Sequence, residues 1–338
     1  MDAEIRRITY RFRQPVTTAY GTLTEREVLL VSLRDDHGNE GVGEAAPLEP
    51  YDGITVDEVR DDLLRALSAV QSADEASVDL AFHAETPQGR AAVDMAIRDL
   101  RARRAGECVH LLADDPVASV PVNATIVATD RSAAAREAAA AAEAGFGCVK
   151  LKVVGEGDAS RVAAVREAVG PDVAIRVDAN GAWTPDQAVS AVKSFAPNDI
   201  EFCEEPVHGV RAFAEVHRRL AGEVALAMDE TAIEPYALES GAAEFVCLRV
   251  AAWGLVPLLN AARAARAHGS EVYVASTYDG PVGIAAGLHA AAALGPDIPA
   301  CGLATLSLFE GIDDPFPVRE GRIEVPRGPG LGISWPVG

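Results

Sequence analysis

Three acidic residues follow apolar, strand-like segments at nearly equal intervals in the second half of this 338-residue chain. Asp178 lies in RVDANG, Glu204 in EFCEEP and Asp229 in AMDET, at spacings of 26 (204 − 178) and 25 (229 − 204) residues. Carboxylates that converge within a few ångströms repel one another strongly unless a cation offsets them. An all-oxygen ligand set suits Mg²⁺, with Mn²⁺ as an expected substitute. The pattern therefore predicts a divalent-metal site.

Two lysines precede these acids in the apolar segment CVKLKV. Because side chains alternate along a strand, Lys150 and Lys152 point to the same face. Two ammonium groups on the inner face of one strand indicate a functional site beside this strand.

The elements that would position these residues repeat one pattern from about residue 120 onward. A short apolar segment rich in Val and Ile is followed by a loop and an Ala-rich helical segment, which is typical of parallel βα units. Candidate strands lie at 121–126, 149–153, 174–178, 200–204, 225–229, 245–250, 271–276 and 301–305, with helices such as 133–144 and 185–195 between them. Eight such strands predict an α/β fold with a TIM-type (β/α)7β barrel, whose active site lies at the C-terminal strand ends.

The first part of the chain has a different pattern, with strand-like segments at 5–12 and 28–34 and helices near 56–70 and 88–103. We expect an α+β capping domain over 1–118 and a barrel domain over 119–307. The Pro- and Gly-rich tail, 308–338, is expected to pack back on the capping domain.

Composition excludes several classes of function. A formal net charge of −21 disfavours nucleic acid and anionic membranes as partners. No apolar run reaches the roughly 18 residues that span a bilayer, and the first residues are charged, so a cytoplasmic protein is expected. Five scattered cysteines, without the spacing of a zinc site, are expected to be small buried hydrophobic residues.

The order of the motifs KLK (150–152), DANGAW (178–183), EEP (204–206) and MDE (228–230) resembles the muconate-lactonizing branch of the enolase superfamily. GVGEAAPL (41–48) and AAVDMAIRDL (91–100) are similar to that branch's capping domain and to the helix that leads into its barrel. The resemblance implies that Asp178, Glu204 and Asp229 bind Mg²⁺ and that Lys152, supported by Lys150, removes a proton alpha to a carboxylate. The metal would stabilise the charge that develops.

The resemblance also implies roles for residues around this centre. Glu204 rather than Glu205 would be the ligand, because the family uses the first acid of EEP. Asn180 and Glu230 would lie behind the ligands, and Tyr20, Ser276 and Asp279 are candidate contacts to them or to the substrate. Loops at 17–21 and 47–53 are expected to choose the substrate, a small carboxylate, and a homo-oligomer is expected.

Two positions depart from the family. One is Asp279, in ASTYDGPVG, where the family commonly has glutamate. The sixth strand usually carries a second lysine opposite the first, and this chain has Arg249 in FVCLRV. Deprotonating a guanidinium at pH 7 costs roughly 7 to 9 kcal/mol, against about 4.6 kcal/mol for lysine. Arg249 therefore favours a reaction with one base, Lys152, in which the fixed cation stacks on a planar intermediate.

Within the one-base class, PVNATI (121–126), RVAAVREAVGP (161–171), RVDANGAW (176–183) and ACGLATLSLF (300–309) resemble o-succinylbenzoate synthases of actinobacterial type. These lyases dehydrate a cyclohexadiene carboxylate. The aspartate pair of dipeptide epimerases is absent from GLATLSLF. The alternatives are a muconate-type cycloisomerase, a dipeptide or N-acylamino acid epimerase or racemase, and a non-catalytic metal-binding homologue.

Overall fold

The N-terminal part of the chain forms an antiparallel sheet of three strands in the computed structural model of the protein. Strand β1 spans Asp2–Thr18, β2 spans Gly21–Arg34 and β3 spans Glu40–Ala45, in the order β1-β2-β3. The pairing of β1 with β2 shifts register between Arg11 and Val16. The structure describes residues 2–18, 21–70, 84–109, 116–155 and 157–333.

Three helices follow this sheet: α1 (Glu49–Asp52), α2 (Val56–Val70) and α3 (Pro87–Ala105). Helix α3 begins after Thr86, whose side chain accepts a hydrogen bond from the Gly89 amide, and it packs closely on β3. A Cβ atom on Gly43 would lie 1.9 Å from the Ala92 carbonyl oxygen, so only glycine permits this approach. The GVGE segment thus fixes the distance between helix and sheet.

A second sheet contains seven parallel strands in sequential order, from β5 to β11. Its strands are β5 (Ala124–Ile126), β6 (Cys148–Lys152), β7 (Ala174–Asp178), β8 (Phe202–Glu204), β9 (Leu226–Met228), β10 (Phe245–Leu248) and β11 (Glu271–Val274). The connecting helices are α4 (Arg131–Glu143), α5 (Asp158–Val169), α6 (Pro185–Phe195), α7 (Val210–Leu220), α8 (Val250–Trp253), α9 (Leu255–Ala267) and α10 (Pro281–Ala293). This alternation agrees with the predicted α/β class, although five of the seven strands are shorter than expected.

The predicted eighth strand at 301–305 is represented by two isolated parallel bridges. Cys301 bridges to Val122, next to the first parallel strand, and Gly302 bridges to Ala275, next to the last one. The segment therefore contacts both edges of the seven-stranded sheet.

The N-terminal sheet covers the C-terminal end of the parallel strands through buried polar and aromatic contacts. The Phe12 and Phe309 rings lie 4.6 Å apart. Arg26, which is 3% exposed, donates hydrogen bonds to the Thr277 and Ala46 carbonyl oxygens at 3.0 and 2.6 Å. Such contacts pack the two sheets against each other.

The tail contacts both parts of the chain. Strand β12 (Arg322–Glu324) pairs antiparallel with β4 (Ser119–Pro121). Beyond it, the Leu331 amide donates a 2.6 Å hydrogen bond to buried Asp99 of α3. The predicted domain boundaries at 118 and 308 remain predictions.

Two further predictions from the sequence concern membrane-spanning helices and the cysteines. Within the described ranges, no helix is both long and apolar enough to cross a bilayer. The five cysteines are free thiols, of which all but Cys108 are buried.

The interface between the two sheets contains a buried carboxylate that makes stability depend on pH. Glu44 accepts hydrogen bonds from the Gly280 and Gly283 amides at 2.7 and 3.2 Å, and burial together with the nearby Asp279 raises the pKa of Glu44 to about 8 despite Arg26. A carboxyl whose folded-state pKa is raised favours folding below its ordinary pKa, and this contribution is lost as pH rises through the folded value. We expect the melting temperature to fall between pH 5 and pH 9.

Glu44→Gln should make this fall shallower, and calorimetry across the pH range measures it. Glu40→Gln, a substitution on the same strand at the surface pair with Arg34, is the control. Equal pH slopes for the wild type and Glu44→Gln would contradict the assignment.

Candidate active site

The ends of five neighbouring parallel strands bring the predicted acids and cations together. Lys152 is the register partner of Asp178, and Asp178 is the register partner of Glu204, so these residues lie at one level of the sheet. Asp229 follows β9 directly, and Arg249 follows β10. The three acids are at most 5% exposed.

Both predicted lysines contact these acids. Lys150 Nζ lies 2.6 Å from Glu204 Oε2 and 2.8 Å from Asp178 Oδ2. Lys152 Nζ donates to Asp178 Oδ2 and to Asn180 Oδ1, both at 2.6 Å. The sequence contains three lysines, so two of the three lie in this site.

Arg249 faces the same cluster from the other side. Its Nε donates to Asp229 Oδ1 at 2.7 Å and its Nη2 to Asp229 Oδ2, which makes a two-pronged ion pair, while Nη1 donates to the Ser276 carbonyl oxygen. The guanidinium carbon lies 5.2 Å from the Tyr51 ring centroid, and the Tyr51 hydroxyl donates to Asp229 at 3.2 Å. Arg249 is thus fixed against a predicted metal ligand.

The buried charges shift one another's protonation. Burial disfavours the charged form of Lys150, but Asp178 and Glu204 outweigh it and raise the lysine pKa. Burial likewise opposes ionisation of Asp178 and Asp229, yet Lys150 and Lys152 lower the pKa of Asp178, and Arg249 lowers that of Asp229. Two of the acids are therefore held as carboxylates by specific cations.

Glu204 differs because one of its oxygens has no donor. Its Oε2 accepts from Lys150 and, at 2.8 Å, from the hydroxyl of buried Tyr273. Its Oε1 is buried without a hydrogen-bond partner among the described residues, and Arg249 Nη2 lies 4.0 Å away. Burial and Asp178 raise the pKa of Glu204 to about 7. A cation would compensate this buried carboxylate oxygen, which no hydrogen-bond donor of the described ranges contacts.

Ligand atoms are also close enough to share an ion. One oxygen each from Glu204 and Asp229 and the Cys247 sulfur lie within 4.8 Å of one another. Asp178 is not in this group among the described residues, so the two carboxylate oxygens are those of Glu204 and Asp229. Such oxygen donors suit Mg²⁺ better than soft metals, whereas the Cys247 thiol is held protonated by burial, which raises its pKa. The residues present therefore fit a hard divalent cation.

The residues around the ligands form a hydrogen-bonded layer. Glu205 turns away from the lysines and accepts hydrogen bonds from the Asp229 amide and from Thr231. Asn180 Nδ2 donates to Glu230 at 3.1 Å. Asn180 and Glu205 both have positive φ angles, 44° and 40°, which are costly for residues other than glycine and typical of functional sites.

A pocket lies beside the lysines and under the N-terminal sheet. Lys150, Lys152, Arg249 and Asn180 form its charged and amide wall, and Thr18, Leu48 and Tyr51 cover it. Ser276 lines it too, with its hydroxyl 2.9 Å from the Thr305 hydroxyl. This pocket can hold a small molecule against Lys152.

One predicted contact does not line this pocket. Asp279 is buried and accepts hydrogen bonds from the amide and hydroxyl of Thr277, on the side of Glu44 and Arg26 rather than among the residues that line this pocket. Tyr20 lies outside the described residues.

Three residues of the site were not predicted from the sequence: Tyr51, Tyr273 and Asn123. Tyr51 and Tyr273 each donate to a predicted metal ligand. Tyr273 carries a signal, since it alternates inward in the strand EVYVAS. Tyr51 carries only its position in the predicted 47–53 loop.

The chain matches two family models of known proteins. Residues 133–336 match the family described as "Enolase C-terminal domain-like". Residues 2–113 match the "Mandelate racemase / muconate lactonizing enzyme, N-terminal domain". The chain belongs to the mandelate racemase / muconate lactonizing enzyme family. The resemblance inferred from the motifs is confirmed.

Curated members of the mandelate racemase / muconate lactonizing enzyme family are similar over part of their length. The chain is 40% identical to an o-succinylbenzoate synthase of Thermobifida fusca over 221 residues, 62% of this chain and 67% of that protein. It is 30% identical over 218 residues to a hydrophobic dipeptide epimerase of Enterococcus faecalis, 60% of each chain. The alignments thus span about two thirds of these relatives, which are enzymes.

Solved structures of the mandelate racemase / muconate lactonizing enzyme family share the fold over nearly the whole chain. The L-Ala-D/L-Glu epimerase of Bacillus subtilis superposes with a TM-score of 0.88 at 24% identity and covers 98% of both chains. A muconate lactonizing enzyme of Pseudomonas fluorescens gives 0.88 at 24% identity, with 98% of this chain and 95% of that chain covered.

The Arg249–Asp229 pair makes a measurable prediction about cation affinity. The guanidinium occupies both oxygens of Asp229, so a cation must compete with it. We expect Arg249→Met to bind Mn²⁺ more tightly, by about tenfold, because an unpaired buried carboxylate gains most from a new cation.

Titration calorimetry with Mn²⁺ measures this affinity. Arg263→Met, which removes an exposed guanidinium from α9, is the control. Unchanged or weaker Mn²⁺ binding in Arg249→Met would show that the arginine does not compete for Asp229.

Proposed function

We propose that the protein is a Mg²⁺-dependent lyase that removes the proton alpha to a carboxylate and dehydrates its substrate as o-succinylbenzoate synthases do. The observation that carries the proposal is the pair Lys152 and Arg249, one titratable amine and one guanidinium, facing a common pocket beside three buried acids. We further propose that the seven parallel strands close into a (β/α)7β barrel through Cys301 and Gly302.

The proposed ligands are Asp178, Glu204 and Asp229. Glu204 Oε1, which is buried without a hydrogen-bond partner among the described residues, would be the ligand atom of Glu204. Mg²⁺, or Mn²⁺ in its place, would offset the negative charge that develops on the substrate carboxylate when the proton leaves. Lys150 and Tyr273 hold the other oxygen of Glu204, so the orientation of the ligand is set before any cation binds.

Lys152 is the proposed base. Its Nζ takes the alpha proton, and the same proton then protonates the leaving hydroxyl, so that a C–H and a C–O bond break, a C=C bond forms and water is released. Asn180 and Asp178 fix the amine by hydrogen bonds at 2.6 Å. Arg249, stacked on Tyr51, supplies a permanent positive charge on the same pocket.

A second candidate class is supported by the relatives. The epimerase relative of Enterococcus faecalis and the muconate lactonizing enzyme fold suggest epimerisation or cycloisomerisation. Epimerisation needs a proton donor on the second face of the carbon, and a guanidinium gives up its proton too reluctantly to fill that role. A pocket whose two lysines lie on one strand, with a guanidinium on the other side, therefore favours elimination.

Removing the proposed base tests the mechanism. Lys152→Ala should lower kcat for dehydration of the cyclohexadiene carboxylate to o-succinylbenzoate by about 10²- to 10⁴-fold, the usual contribution of a general base. Lys193→Ala, which removes the exposed lysine paired with Glu223, is the matched control. Full turnover by Lys152→Ala would end the lysine-base hypothesis.

The same assay distinguishes the classes and the metal requirement. An epimerase run in deuterated water places deuterium in recovered substrate, whereas the proposed lyase yields product without that exchange. Chelator should abolish turnover and Mg²⁺ should restore it, and Asp178→Asn should weaken Mn²⁺ binding. Full activity in chelator would refute the metal dependence.

A further inference from the structure

One buried amide in the pocket has an unused hydrogen-bonding group. Asn123 lies in the apolar segment PVNATI, is 3% exposed and lines the pocket. Its Nδ2 is buried without a hydrogen-bond partner in the described part of the chain. Because buried polar groups are nearly always paired, an unpaired amide that lines a cavity indicates a ligand that completes it.

The position of Asn123 places it deeper than the lysines. Its neighbour on the same strand face, Thr125, is the register partner of Lys150, and Asn123 comes one inward position earlier. The backbone N–H of Asn123 donates a 3.0 Å hydrogen bond to the Cys301 carbonyl oxygen, which fixes the main chain at this position. Asn123 therefore belongs to the floor of the pocket rather than to its mouth.

Small residues form the floor of the pocket. Gly302 and Ala275 line it together with Asn123. A Cβ atom on Gly302 would lie 2.9 Å from the Ala275 Cβ and 3.7 Å from Asn123 Oδ1, so the two segments pack too closely for a side chain at position 302. The Asn123 side chain is therefore the longest polar group at this floor.

The wall around this floor is neutral. Ser276 and Thr305 contribute hydroxyls that are hydrogen-bonded to each other. The acids and their cations lie on or directly after β6 to β10, and the neutral groups lie at the two edges of this row, near β5, β11 and Gly302. A substrate whose alpha carbon lies at Lys152 and whose far end reaches this floor would meet neutral groups there.

We propose that Asn123 Nδ2 donates a hydrogen bond to an acceptor oxygen at the end of the substrate remote from the reacting carboxylate. The pocket then selects acids that carry a second acceptor, such as the carbonyl or carboxylate of a succinyl arm, over acids that lack one. This assignment rests on the proposed function, because that function defines which end reacts.

The test compares two ligands that differ in the second acceptor. o-Succinylbenzoate and benzoate share the aromatic carboxylate, and only the first has the succinyl arm. Dissociation constants for both are measured by calorimetry with Mg²⁺ present, on wild type, Asn123→Leu, Asn123→Asp and the surface control Asn260→Leu. Turnover of the cyclohexadiene carboxylate is followed separately.

Asn123→Leu should weaken o-succinylbenzoate binding by roughly tenfold and leave benzoate binding unchanged, because only the longer ligand reaches the amide. Asn123→Asp, which keeps the size and shape, should weaken it further by placing a carboxylate against the acceptor. In turnover, both variants should raise KM more than they lower kcat.

Other results would overturn the proposal. If Asn123→Leu weakens both ligands equally, or lowers the melting temperature without changing their affinity ratio, the amide has a structural role. A wild type that discriminates the two acids through Asn123 but does not dehydrate the diene would refute the lyase and retain the binding role. If the wild type dehydrates the diene but does not discriminate the two acids through Asn123, the lyase is retained and the binding role is refuted. Failure to bind either acid would contradict both proposals.

Discussion

The pairing of three buried acids with three cations constrains the whole structure. Asp178, Glu204 and Asp229 are almost completely buried, and a buried carboxylate without compensation is strongly destabilising. Lys150, Lys152 and Arg249 provide equal and opposite charge from neighbouring strand ends. The parallel strands must therefore end at one level, because a shift of one residue would turn a charge into the apolar core.

Arginine in place of lysine at the sixth strand changes more than the number of bases. A guanidinium binds both oxygens of Asp229 in a fixed plane and stacks on Tyr51, whereas an ammonium would make a single, movable contact. The charge on that side of the pocket is therefore permanent and immobile. Where a lysine could donate or accept a proton, Arg249 provides only a fixed positive charge. This difference agrees with elimination rather than inversion at the alpha carbon.

The charged residues singled out in the sequence lie together in the structure because each follows a period that the backbone enforces. Asp178, Glu204 and Asp229 close apolar segments one βα unit apart, and the alternation of Lys150 and Lys152 places both on one face. The contacts that depend on distant segments were not predictable. Tyr51 reaches Asp229 across 178 residues, and Asp279 faces Glu44 rather than the pocket because the N-terminal sheet covers it. The eighth strand was also overestimated, since its Gly302 and Cys301 make single bridges.

The contacts between the N-terminal sheet and the end of the chain have a consequence for folding. Phe12 packs on Phe309, Glu44 accepts amides of Gly280 and Gly283, and Asp99 accepts the Leu331 amide. These groups lie more than 230 residues apart, so none of the contacts can form until the segment from Gly280 to Leu331 is available. Contacts of such high sequence separation slow folding. The cover over the pocket therefore depends on residues from both ends of the described chain.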